Sequence, residues 1–270
     1  MRVLCCIFFV VGFSLTLSDA ATEQTNQSKF HQPWKDPTKA IVLDLRGGMK
    51  LEWSELAKEP RVAGIIHRAS EGLEPHSVYA EMKAMGKKLG YKWGSHHVGR
   101  PGDPIKQADF YLATAQPEDD EVIALDLEND TPKEKYMNLV DAQRFIERIK
   151  EKTGRYPMLY VTGETQKALF KDYGADSIFS KPRIWYARFC DDINCYFPNK
   201  LWDSYTLWQF ASEQNCPSKP TSGKKCSPDK CYRNKCPLPS PVPGTDYDMD
   251  VNIYYGTVEE LRSRWPFTVK

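Results

Sequence analysis

Residues 122 to 131 read VIALDLENDT, four apolar residues running into Asp126-Leu127-Glu128. A short apolar run closed by polar turn residues reads as a buried strand. Residues two apart on a strand share a face, so Asp126 and Glu128 project together while Leu125 and Leu127 face the other way. Such a strand belongs in a fold whose strands end at an open, polar rim.

Seven further runs rich in β-formers flank this one: AIVLDL (40–45), VAGIIHRA (62–69), KWGSHHV (92–98), PMLYVTG (157–163), RIWYARF (183–189), SYTLWQF (204–210) and YDMDVNIY (247–254). Helical patterns fit between several of them, notably SVYAEMKAMGKKLG (77–90) and LVDAQRFIERIKEKTG (139–154), each closing on a glycine suited to a left-handed cap. Alternating strand and helix argue for a parallel sheet, and eight strands in one domain argue for a closed barrel. The expected fold class is α/β: a modified (β/α) TIM-like barrel over residues 40–270, irregular in its second half, where the connecting segments are poor helices.

Residues 213–244, EQNCPSKPTSGKKCSPDKCYRNKCPLPSPVPG, are too rich in Cys, Pro, Lys and Ser to build a core. They are expected to form a disulfide-stapled insertion before the last strand, with Lys224, Lys225, Lys230, Arg233 and Lys235 exposed. Met1 to Ala20 has the layout of a cleaved secretory signal, with early Arg2, an apolar run and small residues at the end. The run is short for a membrane anchor and lacks a basic flank. Residues 21–39 read as a flexible leader, with Asn26 in a glycan acceptor triplet.

Cys5 and Cys6 leave with the signal, and the six remaining cysteines predict three disulfides in an oxidising compartment, with fifteen pairings open. Zinc is the rival for Cys226, Cys231 and Cys236, but no histidine lies among them. A formal net charge of +1 gives no global field for nucleic acid or an anionic surface. The reading is thus a secreted, extracellular monomer that binds no nucleic acid and no membrane and needs no cofactor or metal.

In a barrel of this kind the carboxyl ends of the strands form the catalytic mouth. Asp44 ends the first strand as Asp126 ends the fourth, and Asp250 falls in the last, which closes beside the first. Carboxylates held close cannot all ionise, so at least one should keep its proton near neutrality. A proton donor beside an ionised carboxylate suits glycosidic bond cleavage. His67, His96 and His97 lie at neighbouring strand ends and raise a metal site as an alternative. Adjacent histidines alternate faces, however, so only one of His96 and His97 can point at the mouth.

These residues, in order, resemble glycoside hydrolase family 25, the secreted lysozymes of the Chalaropsis type. The matching motifs are Arg68-Ala69-Ser70-Glu71-Gly72, Gly94-Ser95-His96-His97, Gln107-Ala108, Asp126-Leu127-Glu128, Pro157 to Tyr160, Trp185 to Arg188, Trp208-Gln209 and Asp250-Val251-Asn252. The resemblance implies an N-acetylmuramidase acting on bacterial peptidoglycan, with Glu128 as general acid, Asp126 as its partner, and Asp44 and Asp250 completing an acidic rim. It also implies Glu71, His97, Tyr160, Trp208 and Gln209 as substrate-binding residues; flat aromatic side chains suit the C–H faces of sugar rings. Departures are Leu45-Arg46 where many members have a serine, Arg68 for lysine, and His96 for tyrosine, which places a titratable ring near the mouth. Asn129-Asp130-Thr131 is a glycan acceptor triplet expected to stay unmodified, because a glycan beside Glu128 would obstruct the cleft. A wall-binding protein without turnover, or a glycosidase on another N-acetylated polymer such as chitin, are the competing functions.

Overall fold

Each of the eight apolar runs becomes a strand. The computed structural model describes residues 29–128, 133–193, 197, 201–216, 236–246 and 248–269. In chain order the strands are β1 (Ile41–Leu45), β2 (Val62–Glu71), a two-residue β3 (Glu74–Pro75), β4 (Lys92–Val98), β5 (Val122–Leu127), β6 (Met158–Val161), β7 (Ile184–Ala187), β8 (Leu207–Ala211) and β9 (Asp250–Ile253). β1 pairs with both β2 and β9, which closes eight strands into a barrel, and β3 folds back on β2 as a hairpin. Neighbours from β1 through β2 and β4 to β8 are parallel, whereas β9 runs antiparallel to β8 and β1. The parallel sheet expected from the sequence is thus present, with β9, in the irregular second half, as its antiparallel member. The chain leaves β8 at the carboxyl-end rim and comes back at that same rim, so its next strand must descend.

Side-chain alternation sorts each strand into two cores. Val42, Ile66, Ala124, Met158, Trp185 and Leu207 fill the barrel interior. Leu43, Ile65, Leu125, Leu159, Phe210 and Val251 lie on the outer face beneath the helices. Two helices are those the sequence marks: Tyr79–Lys88, followed by Gly90 at φ 85°, and Leu139–Thr153, capped by Gly154 at φ 67°. Asn138 caps the start of the second, its side chain accepting from the Asp141 N–H at 2.9 Å.

Residues 29–39, read from the sequence as part of a flexible leader, are ordered against the barrel. Trp34 stacks on Phe210 at 4.6 Å and meets Trp208 edge-on at 5.0 Å, while Phe30 packs on Phe197 and Tyr205. Among the described residues no helix stands between β8 and β9, and these aromatics cover the outer face there; burying such rings outweighs the cost of ordering the segment.

The floor of the barrel is a single indole. Trp265, in the C-terminal segment, donates from Nε1 to the Trp93 carbonyl at 2.9 Å and lies against Gly64 and Gly94. A Cβ on Gly64 would come within 2.9 Å of the Trp265 ring, and one on Gly94 within 2.8 Å of Val122. Both glycines are what leave room for the plug.

Of the cysteine framework, Cys216–Cys236 is a disulfide and Cys190 is disulfide-bonded. The signal segment, residues 21–28 with Asn26, the Asn129 triplet, Cys195, the Cys226 and Cys231 spacing and the cations from Lys224 to Lys235 lie outside the described residues. Among the described residues, no helix is long and apolar enough to cross a membrane.

Candidate active site

The acids gather at the mouth because the strands are in register. Asp44 pairs across the closure with Asp250, the first residue of descending β9, and Asp126 pairs with Tyr160 on β6. Glu128 follows directly on β5, half-buried. The Tyr160 phenol is pushed well above its ordinary 10.0, first by burial and then by the charges of Asp126, Glu128, Asp250 and Asp44. One ring thus senses all four acids. It donates to Gln209 Oε1 at 2.9 Å, and Gln209 Nε2 reaches Asp44 Oδ2 at 3.5 Å. Below this layer, Trp185 Nε1 donates to Asn252 Oδ1, whose amide donates to the Val42 carbonyl.

Burial and crowding raise the proton affinity of three aspartates. Asp44 is lifted well above 3.8 by burial and then by Asp126; Asp126 by burial and then by Glu128; Asp250 by burial, then Asp44 and Glu213. Each has one buried oxygen, Oδ1, with no hydrogen-bond partner among the described residues. Buried acceptors left unsatisfied destabilise the fold and reward a ligand that donates to them.

A stability prediction follows for Asp44. Its pKa is higher folded than unfolded, so its favourable contribution is complete below the ordinary aspartate value and disappears as pH rises through the folded value. Asp44→Asn should therefore melt above the parent at pH 7, by an amount typical of single stabilising changes, about 0.5–2 kcal/mol. The gap should narrow toward pH 4, and scanning calorimetry at both pH values checks the sign.

Two arginines intrude on the acidic mouth. Arg46, just past β1, lies 2.6 Å from Glu213 and 3.4 Å from Asp250. Arg68 projects from β2, bonding Glu71 at 2.7 Å, and its charge is felt by Asp44, Asp126 and His96. Glu71 also takes Arg100 at 2.6 Å. Burial opposes ionisation of Glu71, but the Arg100 hydrogen bond and the two guanidinium charges hold it below its usual range. It organises the rim's cations, where the sequence suggested direct sugar contact.

His97 and Trp208 are corrections. Both face outward, away from the mouth. His97 is fully buried beneath the helices, with Nδ1 2.9 Å from Ser70 Oγ, Nε2 3.2 Å from Gln107 Oε1 and its ring stacked on Phe145. Trp208 donates to the Arg188 carbonyl and packs against Trp34 and Tyr205. The inward partners of these residues are His96 and Gln209. His96 sits 3.4 Å from Asp44, but burial, and then the Arg68 charge, keep its pKa well below 6.5, so it stays neutral where the sequence suggested titration. With His96 inside and His67 and His97 outside, the three histidines cannot converge on one ion. Glu213, which the sequence reading assigned to the insertion, joins the site. The strand-end rule would have found it, two residues past β8.

The described geometry is a closed barrel with four acids converging on one tyrosine at the mouth. The family model described as glycosyl hydrolases family 25 matches residues 47–219. The chain belongs to this family. The family 25 match contains Glu71, Asp126 and Glu128, while Asp44 and Asp250 lie on either side of it. By that membership the protein is a glycosidase. Similar solved structures include a muramidase from Trichobolus zukalii (17% identity, 83% of this chain and 97% of that one, TM-score 0.61). Others are the bacterial lysozyme from Streptomyces coelicolor (17%, 84% and 97%, TM-score 0.61) and a family GH25 lysozyme from Aspergillus fumigatus (18%, 84% and 98%, TM-score 0.61). At these identities the likeness concerns the fold. No curated protein matches the chain.

Proposed function

We propose that this family 25 chain is a secreted lysozyme that hydrolyses the β-1,4 bond between N-acetylmuramic acid and N-acetylglucosamine in bacterial peptidoglycan. The observation that carries the reading is the register that sets Asp44 opposite Asp250 and Asp126 beside Tyr160 at the mouth, with Glu128 directly after the strand that bears Asp126. Solved structures named as muramidases and lysozymes share the fold, and Met1 to Ala20 supports export.

Glu128 gives its proton to the linking oxygen as the C1–O bond breaks. Asp126 accepts from the acetamido N–H, which gains acidity as the acetamido oxygen closes on C1. Water then adds at C1 as the bond from the acetamido oxygen breaks, and the water's proton returns to Glu128. Asp44 and Asp250 frame the sugar, and Tyr160 with Gln209 holds Asp44 in place.

Peptidoglycan and chitin oligomers offered in parallel to the purified protein test the bond specificity. New reducing ends on muramic acid are expected. Cleavage of chitin oligomers alone, or new ends on N-acetylglucosamine, would overturn the assignment.

A further inference from the structure

At the pole opposite the mouth lies a cavity of about 640 Å³, lined by the segments that lead into β7 and β8 and by those that follow β9 and the last helix. Its volume falls in the range of small-molecule sites and far exceeds what a lone inorganic anion fills. The lining is strongly one-signed. Lys29, Lys181, Arg183 and Arg264 contribute four cations, and Asp203 is the only acid among the described lining residues. Tyr254, Tyr255 and Phe267 supply aromatic surface beside them.

Lys29 is not simply splayed into solvent. The Lys29 ammonium lies 5.3 Å from the centre of the Tyr205 ring and 5.6 Å from that of Tyr255, and the Tyr205 hydroxyl donates to the Lys29 carbonyl at 2.6 Å. Burial, and then the like charge of Arg264, lower its proton affinity. A half-buried lysine facing an arginine is an arrangement that an anion relieves. Two guanidinium groups at the rim suit oxygens of phosphate, which they can bind in pairs. Adjoining aromatic faces suit a sugar or polyol between phosphates.

We propose that this basal cavity binds a phosphodiester-linked sugar or polyol chain. It lies on the far side of the barrel from the acids, so a chain held there leaves the mouth open. The proposal stands on the cavity alone and does not rest on the bond specificity proposed above.

The test is calorimetric titration of the purified protein with a poly(glycerol phosphate) oligomer, and with oligogalacturonate of equal charge. Binding of the phosphate oligomer is expected, weakened at least tenfold in Arg183→Glu/Arg264→Glu and in Lys29→Gln. Arg183 and Arg264 are exposed, so their reversal leaves the core packing unchanged, and an unaltered melting temperature verifies this. Unchanged affinity in the folded variants, or no binding by the parent, overturns the site. Equal affinity for oligogalacturonate overturns the phosphodiester assignment. Hydrolysis of phosphate-free peptidoglycan by these variants should equal the parent's, which separates failure here from failure of the catalytic reading.

Discussion

Glu128→Gln is expected to lower the rate of wall hydrolysis by about 10²–10⁴-fold, the usual contribution of a positioned proton donor. The amide preserves shape and hydrogen-bonding capacity but has no proton to give at the linking oxygen. Substrate binding should survive, so the loss should fall on kcat and leave KM nearly unchanged. Removing one of four crowded acids also eases their mutual repulsion, since Glu128 raises the proton affinity of Asp126. The variant should therefore be as stable as its parent or more so, and a turbidity assay beside a melting curve reads both effects. Parental activity in a folded Gln variant would remove Glu128 from the mechanism.

Trp265→Ala should be strongly destabilising. Truncating a buried tryptophan costs about 3–5 kcal/mol, combining lost transfer energy with the cavity left behind. Collapse is hard here, because the indole rests against two glycines that have no side chains to move in, and the Nε1 bond to Trp93 is lost as well. In a domain of this size each kcal/mol lowers Tm by about 2–4 °C, so a drop of roughly 6–20 °C is expected by calorimetry. Trp265→Phe, which keeps most of the ring, should recover part of the loss. A fall of only a degree or two would mean that the plug does not support the floor.

Strand existence was legible because each run of β-formers is short and bounded, and period-two alternation put Asp126 and Glu128 on one side. The same alternation separates neighbouring residues without saying which of them faces inward. In Trp208-Gln209 only one residue can face inward, and Gln209 does, in register with Ala187 and Asn252. Likewise Gly94 and His96 share the inward face, which leaves His97 outside. Aromatic character drew attention to Trp208, yet large rings are wanted just as much beneath the covering layer, where Trp34 completes the packing. The Arg46–Glu213 pair was hidden for a different reason. Its members lie on distant segments, and only barrel closure brings them to 2.6 Å. The descent of β9 was also unreadable from composition, because strand direction depends on where the preceding excursion ends.

That descent ties the two poles of the molecule together. β9 begins with Asp250 at the mouth, and Tyr254, the residue after its end, lines the basal cavity, so one short strand spans from the reaction chemistry to the proposed anchorage. The two faces therefore share one strand while opening on opposite sides of the molecule.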